Sequence, residues 1–155
     1  MRILVISDSH GHKWNVFDAI DREPSAEVIY FLGDGYQDCE DAIEIYGGKK
    51  AFICVRGNCD AYCSYPENDI RSIEGAKIYA THGYVEKVKY GTYDLELAAR
   101  EAGCNIALFG HTHDALSKYS NGIHLFNPGS IRYGQYGVID ITDSGIICLN
   151  KFMPY

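Results

Sequence analysis

Six short apolar segments, each ending abruptly in glycine and polar residues, constrain the fold of this chain more than any other feature. In chain order they are Ile3–Ile6, Val28–Leu32, Ala51–Val55, Ile78–Ala80, Ile106–Phe109 and Ile123–Phe126. An apolar run of this length between turn-forming residues is typical of a buried strand. We therefore predict six buried strands, and the first five are followed at once by a turn that contains Asp, Asn or His.

Apolar residues at helical spacing predict three helices between these strands. Their apolar faces are Trp14, Phe17, Ala19 and Ile20; Cys39, Ala42, Ile43 and Tyr46; and Leu95, Ala98, Ala99 and Ala102. Strands that alternate with helices predict an α/β fold with a parallel sheet and right-handed crossovers. Two further strands, Val138–Ile141 and Ile146–Leu149, flank a hairpin turn and predict mixed sheets. Without a linker or repeat, we predict a single domain over residues 1–155.

Charge and cysteine content argue against several classes of protein. The formal net charge of −7 disfavours a broad basic face for nucleic acid, although bound metal ions can still attract an acidic substrate. No apolar run approaches the ~20 residues that span a bilayer, and the opening apolar run is too short for a secretory signal. We therefore expect a cytoplasmic protein with no membrane contact. Its six cysteines, which lack C-x-x-C spacing, should form no disulfide framework.

Seven polar side chains at the strand ends form a candidate metal site. Asp8 and His10, like His111 and His113, are two residues apart, so an extended chain places each pair on one side. A lone His-x-His pair is equally consistent with a hydrogen-bonded surface pair, but all the pieces occur in order after apolar strands. Oxygen and nitrogen donors together suit divalent Mn, Fe, Co, Ni or Zn. The predicted ligands are Asp8, His10, Asp34, Asn58, His82, His111 and His113.

These motifs resemble the ordered motifs of the calcineurin-like metallophosphoesterases, especially the short bacterial and archaeal phosphodiesterases of that superfamily. The matching residues are Asp8-Ser9-His10, Gly33-Asp34, Gly57-Asn58, His82-Gly83, Gly110-His111-Thr112-His113 and Asn127-Pro128-Gly129-Ser130. The resemblance implies a four-layer α/β/β/α sandwich with a dinuclear metal centre. It implies that one ion is held by Asp8, His10, Asp34 and His113, and the other by Asp34, Asn58, His82 and His111, with Asp34 bridging.

The expected function is hydrolysis of phosphate esters by a hydroxide that two divalent ions, preferably Mn²⁺, activate between them. Counting the charges of two ions, Asp8, Asp34 and the hydroxide, a monoanionic phosphodiester leaves the centre near neutral. We therefore favour a small phosphodiester. A phosphomonoesterase or phosphoprotein phosphatase is the main alternative, although the chain has no long insertion for a protein-binding groove. A retromer subunit with this fold is a scaffold with degraded metal motifs, whereas the expected ligands are complete here.

The stretch Gly57-Asn58-Cys59-Asp60 departs from much of the superfamily, where His follows Asn and is thought to protonate the leaving group. We place Asp34, Asn58, Cys59 and Asp60 in the catalytic group. Cysteine, with a pKa near ~8.5, is a poor substitute for imidazole. Cys59 is therefore either a small filler or an outer group. His12 is either a replacement acid or a solvated side chain, and we interpret His124 as structural.

Tyrosine is abundant, with 13 residues, and several follow the ligand-bearing turns. They predict either an aromatic rim that stacks on a base or aryl ester, or loop packing and a homo-oligomer interface. Arg56 and Arg132 are candidates for phosphate contact or for structural ion pairs. The candidate rim residues are Tyr36, Tyr62, Tyr65, Tyr84, Tyr133 and Tyr136.

Overall fold

The computed structural model of the protein describes residues 1–154, which form ten strands and three α-helices. The strands are β1 (Arg2–Ile6), β2 (Ala26–Phe31), β3 (Ala51–Cys54), β4 (Asn68–Ile73), β5 (Ala76–Thr81), β6 (Ile106–Leu108), β7 (Leu116–Ser120), β8 (Ile123–Asn127), β9 (Gln135–Thr142) and β10 (Gly145–Phe152). The helices are α1 (Lys13–Arg22), α2 (Tyr36–Tyr46) and α3 (Tyr93–Glu101), and short 3₁₀ turns cover Val88–Tyr90 and Ile131–Tyr133.

The strands form two five-stranded sheets, in the orders β10-β9-β1-β2-β3 and β4-β5-β6-β8-β7. In the first sheet β1, β2 and β3 are parallel, whereas β9 runs antiparallel to both β1 and β10. In the second sheet β5, β6 and β8 are parallel, and β4 and β7 add antiparallel edges. Both sheets are therefore mixed, as predicted.

Alternation along β1 explains how the layers stack. Ile3 and Val5 point into a core shared by the two sheets, while Leu4 and Ile6 point to the opposite face, which α1 and α2 cover. On the far side of the second sheet, α3 packs through Leu95 and its neighbours. The order of layers is helix, sheet, sheet, helix, which confirms the predicted four-layer α/β/β/α sandwich.

Two strands and one side chain differ from the sequence-based expectation. The edge strands β4 and β7 were not predicted, because their mostly exposed residues lack a continuous apolar run. Asn121-Gly122, an established hairpin signal, joins β7 to β8 with φ of 50° and 83°. Trp14, predicted on the buried face of α1, is 72% exposed because it lies in the first turn, and Val16 is buried instead.

Candidate metal centre

The turns that follow the parallel strands hold five predicted ligands in a strained backbone conformation. Asp8, His10, Asp34, His111 and His113 have φ of 57°, 44°, 59°, 69° and 63°. Side chains other than glycine rarely adopt positive φ, and each such residue costs on the order of 1–3 kcal/mol. The surrounding structure holds all five in this state, which is typical of a functional site.

Glycines in the same turns allow the turns to approach each other closely. A Cβ atom on Gly57 would lie 2.5 Å from the backbone nitrogen of Asp34. A Cβ atom on Gly110 would lie 2.7 Å from Asp8 Oδ2. Only glycine fits at these two contacts, so the motif glycines have a direct steric role.

Asp8, His10 and His113 form the first ligand group. Their ligand atoms all lie within 4.8 Å of one another. Asp8 Oδ1 is 3.2 Å from His113 Nε2 and 3.7 Å from His10 Nε2, and the two Nε2 atoms are 3.3 Å apart. Two residues from the first sheet and one from the second therefore converge on one point.

Asp34, His82 and His111 form the second ligand group, which also lies within 4.8 Å. Asp34 Oδ2 is 3.2 Å from His82 Nε2 and 3.8 Å from His10 Nε2, so Asp34 lies between the two groups. The backbone oxygen of Leu32 accepts a 2.7 Å hydrogen bond from His82 Nδ1, which leaves Nε2 directed at the centre.

Two buried polar atoms at the centre lack a hydrogen-bond partner within residues 1–154: Asp8 Oδ1 and His82 Nε2. Asp8 has no exposed surface and His82 is 2% exposed. Leaving buried polar atoms unsatisfied costs free energy unless a ligand pairs with them. Carboxylate oxygens and imidazole nitrogens are the donors that borderline divalent cations prefer. The residues present therefore fit a metal site.

Electrostatics shift the charge states of these ligands in different directions, because they keep Asp34 ionised and His111 neutral but favour the protonated form of His82. Burial acts to raise the pKa of Asp34, but the nearby His82 and the Cys59 backbone N–H outweigh it and lower that pKa to about 2. Burial acts to lower the pKa of His82, but Asp34 and Asp8 together raise it above its usual value. Burial, together with the positive charges of His82 and Lys89, lowers the pKa of His111 and keeps its imidazole neutral.

Hydrogen bonds that the sequence did not reveal hold Asp8 in place. Asp8 Oδ2 accepts bonds from Ser7 Oγ at 2.5 Å and from the His111 backbone N–H at 3.1 Å. The backbone oxygen of Asp8 accepts a 2.7 Å bond from Ser130 Oγ. Asn127 Nδ2 donates to the Gly110 backbone oxygen at 3.1 Å. The Asn127-Pro128-Gly129-Ser130 motif, used above only as a resemblance, therefore supports the ligand turns directly.

Asn58 and Cys59 lie at the open edge of the centre. Both are exposed, and Asn58 Nδ2 donates to Cys59 Sγ at 3.6 Å. Cys59 Sγ lies within 4.8 Å of ligand atoms of His10 and Asp34. Burial and the charge of Asp34 raise the pKa of the Cys59 thiol, so the thiol stays protonated and is a weak proton donor.

Asp60, placed in the catalytic group from sequence, has a different environment. Its carboxylate accepts four backbone N–H bonds, from Asp34 at 2.8 Å, Gly35 at 2.9 Å, Tyr36 at 3.0 Å and Gly57 at 2.7 Å. Both oxygens are therefore engaged with the turns after β2 and β3. This geometry favours a positioning role for Asp60, since each oxygen already accepts two backbone N–H bonds.

The candidate rim tyrosines divide into two sets. Tyr84 is exposed and contacts His111 edge-on, with ring centroids 5.6 Å apart, and Tyr133 is exposed 6.3 Å from His113. Tyr136 is buried in β9 and donates to Glu23, so its placement in the rim was wrong. Tyr136 lies on the same face of β9 as Val138, and both side chains belong to the core that α1 and α2 cover.

The other residues singled out from sequence lie at the margin or away from the centre. Tyr36 and Tyr65 pack against each other with centroids 5.2 Å apart, and Tyr62 is exposed. Arg132 lies over the Tyr133 ring. Arg56 is exposed and, with Asn58 and His82, lines a cavity of about 230 Å³. His12 is exposed with Nδ1 against backbone oxygens, and His124 packs on Tyr119.

Comparison with known proteins identifies the family. The model of the calcineurin-like phosphoesterase superfamily domain matches residues 1–143. The chain belongs to the calcineurin-like phosphoesterase superfamily. Other members of this superfamily are metallophosphoesterases. The Asp and His groups described above are likewise placed for binding divalent metal. No helix among residues 1–154 is long and apolar enough to cross a membrane.

Several relatives of this calcineurin-like phosphoesterase are known. It is 31% identical to the probable metallophosphoesterase YsnB of Bacillus subtilis, over 85% of this chain and 76% of the relative. It is 25% identical to the phosphodiesterase YfcE of Escherichia coli, over 96% and 84% of the two chains. The structure of a conserved Streptococcus pneumoniae protein, described as a predicted phosphoesterase, superposes with a TM-score of 0.83 at 28% identity, covering 97% of this chain and 88% of the other.

The same superfamily fold also occurs in Vps29 of Entamoeba histolytica. That structure superposes with a TM-score of 0.76 at 20% identity, covering 99% of this chain and all of the other. A likeness at this identity shows the fold alone.

Proposed function

We propose that this calcineurin-like phosphoesterase is a metal-dependent hydrolase that uses two divalent ions and acts on small phosphodiesters. The observation that carries the proposal is the position of Asp34, whose carboxylate lies close to His10 of one ligand group and to His82 of the other. A carboxylate between two ligand groups is the arrangement that a pair of ions sharing one ligand requires.

Seven residues would hold the ions. Asp8, His10, Asp34 and His113 would hold one, and Asp34, Asn58, His82 and His111 the other. Bound ions would supply a water of lowered pKa as nucleophile and would neutralise charge on the phosphoryl oxygens. We favour Mn²⁺, and Fe, Co, Ni or Zn ions suit the same donors.

The protein residues around the ions have separate tasks. Asp34 accepts the Cys59 backbone N–H at 2.8 Å, which fixes its carboxylate between the groups. Asp60 fixes the two turns that carry Asp34 and Asn58. Arg56, on the wall of the cavity beside Asn58, is placed to pair with an anionic ester.

The diester preference rests on charge and on the relatives. Asp8, Asp34 and a nucleophilic hydroxide would offset all but one of the positive charges of two divalent ions, so a monoanionic substrate would complete the neutralisation. A relative of similar length, YfcE, is named a phosphodiesterase. The close grouping of Asp8, His10 and His113, and of Asp34, His82 and His111, supports a metal-dependent enzyme over the scaffold alternative.

Metal reconstitution tests the proposal. Protein stripped with a chelator and reloaded with Mn²⁺ should contain about two ions per chain and hydrolyse bis(p-nitrophenyl) phosphate. A panel of cyclic nucleotides, nucleotide diesters, phospholipid head-group diesters and monoesters should then rank the diesters first. Absence of bound metal after reloading would remove the proposal. Faster turnover of monoesters would favour a phosphomonoesterase, and metal binding without turnover would favour a scaffold.

Cys59 provides a second test, which concerns protonation of the leaving group. Since a thiol of raised pKa is a weak acid, the rate should fall steeply as the leaving-group pKa rises. Cys59→His should make this dependence shallower, with a gain on poor leaving groups below the roughly 10²–10⁴-fold of a well-placed general acid. An introduced imidazole will be misplaced, and errors of about 1 Å can cost on the order of 10²-fold.

The measurement is a plot of log rate against leaving-group pKa for the wild type and the variant. Cys59→Gln is the matched control, because its side chain is of similar size to histidine and does not titrate. A flat wild-type plot, with chemistry shown to limit the rate, would mean that another residue already acts as the acid. His12 and Asp60 would then be tested first.

A further inference from the structure

A second cavity, of about 550 Å³, opens beside the second ligand group. Its volume lies within the range of roughly 300–1,000 Å³ typical of small-molecule sites. Two of its residues are proposed metal ligands, so a molecule that fills it would touch the centre. The cavity is lined by Asn58, Tyr84, Val85, Lys87, Lys89, Tyr90 and His111.

The wall of this cavity is a segment, residues 83–91, that two inward-pointing side chains anchor. Glu86 is 7% exposed and accepts hydrogen bonds from Thr81 Oγ1 at 2.8 Å and Tyr79 Oη at 3.2 Å. Val88 is 5% exposed, and its backbone N–H donates to Gly83 at 3.1 Å. Lys87 and Lys89, on either side of Val88 in the chain, are both exposed and both line the cavity.

Lys87 and Lys89 give the cavity a positive charge in a protein whose formal net charge is −7. Within residues 1–154, no carboxylate lies within ion-pair distance of either lysine, whereas Lys13 and Lys151 both have such partners. Lys89 and the proposed ligand His111 line the same cavity, so this positive charge lies beside the centre. Two unneutralised cations beside a phosphoester site are suited to a second anion.

The remaining wall is aromatic and apolar. Tyr84 packs against His111 in a T-shaped contact and is 59% exposed, and Val85 and Tyr90 are exposed beside it. Exposed tyrosine rings can stack on planar rings of a ligand with little preference for one ring over another. The cavity therefore offers a surface for a ring between the metal centre and the two lysines.

We propose that this cavity is a specificity site for a phosphodiester that carries a second phosphate on the same arm as a planar ring. The scissile phosphate lies at the metal centre, the ring contacts Tyr84, and the second phosphate pairs with Lys87 and Lys89. This assignment rests on the proposed function for the position of the scissile phosphate. The assignment goes beyond the proposed function because it states which phosphodiesters the protein prefers.

Equilibrium binding tests the site without turnover. Calorimetry on the metal-loaded protein should show that thymidine 3′,5′-bisphosphate binds about tenfold tighter than thymidine 5′-monophosphate, an advantage of roughly 1.4 kcal/mol. The double variant Lys87→Gln/Lys89→Gln should abolish this difference. The control Lys49→Gln/Lys118→Gln makes the same change in net charge at exposed lysines that do not line the cavity, and it should retain the difference.

Kinetics separate this proposal from the proposed function. The p-nitrophenyl 5′-ester of thymidine 5′-phosphate and its 3′-phosphorylated form release the same leaving group. The wild type should prefer the 3′-phosphorylated ester about tenfold in kcat/KM, mainly through KM, and the preference should fall with salt. The specificity site is overturned if the wild type binds the bisphosphate and the monophosphate equally. It is also overturned if Lys87→Gln/Lys89→Gln and Lys49→Gln/Lys118→Gln show the same preference for the 3′-phosphorylated ester, even if both esters are cleaved. If neither ester nor bis(p-nitrophenyl) phosphate is cleaved, the proposed function fails, and the binding difference still decides the site.

Discussion

Asp34→Asn should remove the ability of the protein to hold a pair of ions and should reduce turnover on the order of 10³-fold. Asp34 lies close to His10 of one ligand group and to His82 of the other, so its change should affect both groups. Asparagine keeps the shape of aspartate, and its side-chain oxygen can still accept the Cys59 backbone N–H. The loss should therefore come from the missing negative charge rather than from a rearranged turn.

Single-group variants are the matched controls for Asp34→Asn. His10→Ala and Asp8→Ala should weaken the first group, whereas His111→Ala and Asn58→Ala should weaken the second. Elemental analysis after reconstitution should give about one ion per chain for His10→Ala and for His111→Ala, and less than one for Asp34→Asn. Full occupancy in Asp34→Asn, or full activity of His111→Ala at limiting metal, would contradict the assignment of ligands.

Asp60→Ala should be the most destabilising substitution near the site. Four backbone N–H groups would lose their acceptor in a region that water reaches poorly, because Asp60 is buried. Breaking such a network costs about 3 kcal/mol or more, which should lower Tm by roughly 6–12 °C.

Urea unfolding of the metal-free protein measures this cost without a contribution from bound ions. Asp18→Ala is the control, since Asp18 forms only a half-exposed pair with Arg22 and should change stability by less than about 0.5 kcal/mol. A loss below about 1 kcal/mol for Asp60→Ala would show that the turns do not depend on its carboxylate. Asp60 would then return to the group of candidate acids.

Buried parallel strands were predictable from sequence because their signal is local and strong. The segments around β1, β2, β5 and β6 are continuous apolar runs, and each ends at a polar turn. Exposed edge strands give no such signal, since β4 and β7 alternate weakly and face solvent. For β7 and β8, however, the turn Asn121-Gly122 is itself a hairpin signal.

The candidate ligands could be named from sequence, but their environment could not. A ligand is recognised by its residue type and its place after a strand, whereas its partners come from distant turns. Ser130 and Asn127 reach Asp8 and Gly110 across more than a dozen residues of chain, and only the folded structure brings them together. The same reason explains why the environment of Asp60 could not be predicted. A carboxylate in that position suggests a catalytic role, but its four partners are backbone N–H groups that only the fold brings to it.

Both ligand groups draw residues from the two sheets, with Asp8 and Asp34 following strands of the first and His82 and His113 following strands of the second. The metal centre therefore connects the two sheets of the sandwich. Its affinity for metal depends on the relative position of the two sheets. A substitution in the core between the sheets, for instance at Val5 or Leu108, would therefore change the metal affinity without touching a ligand. Conversely, ions bound at the metal centre would hold the two sheets together, and the free energy of unfolding would rise with the concentration of free ion.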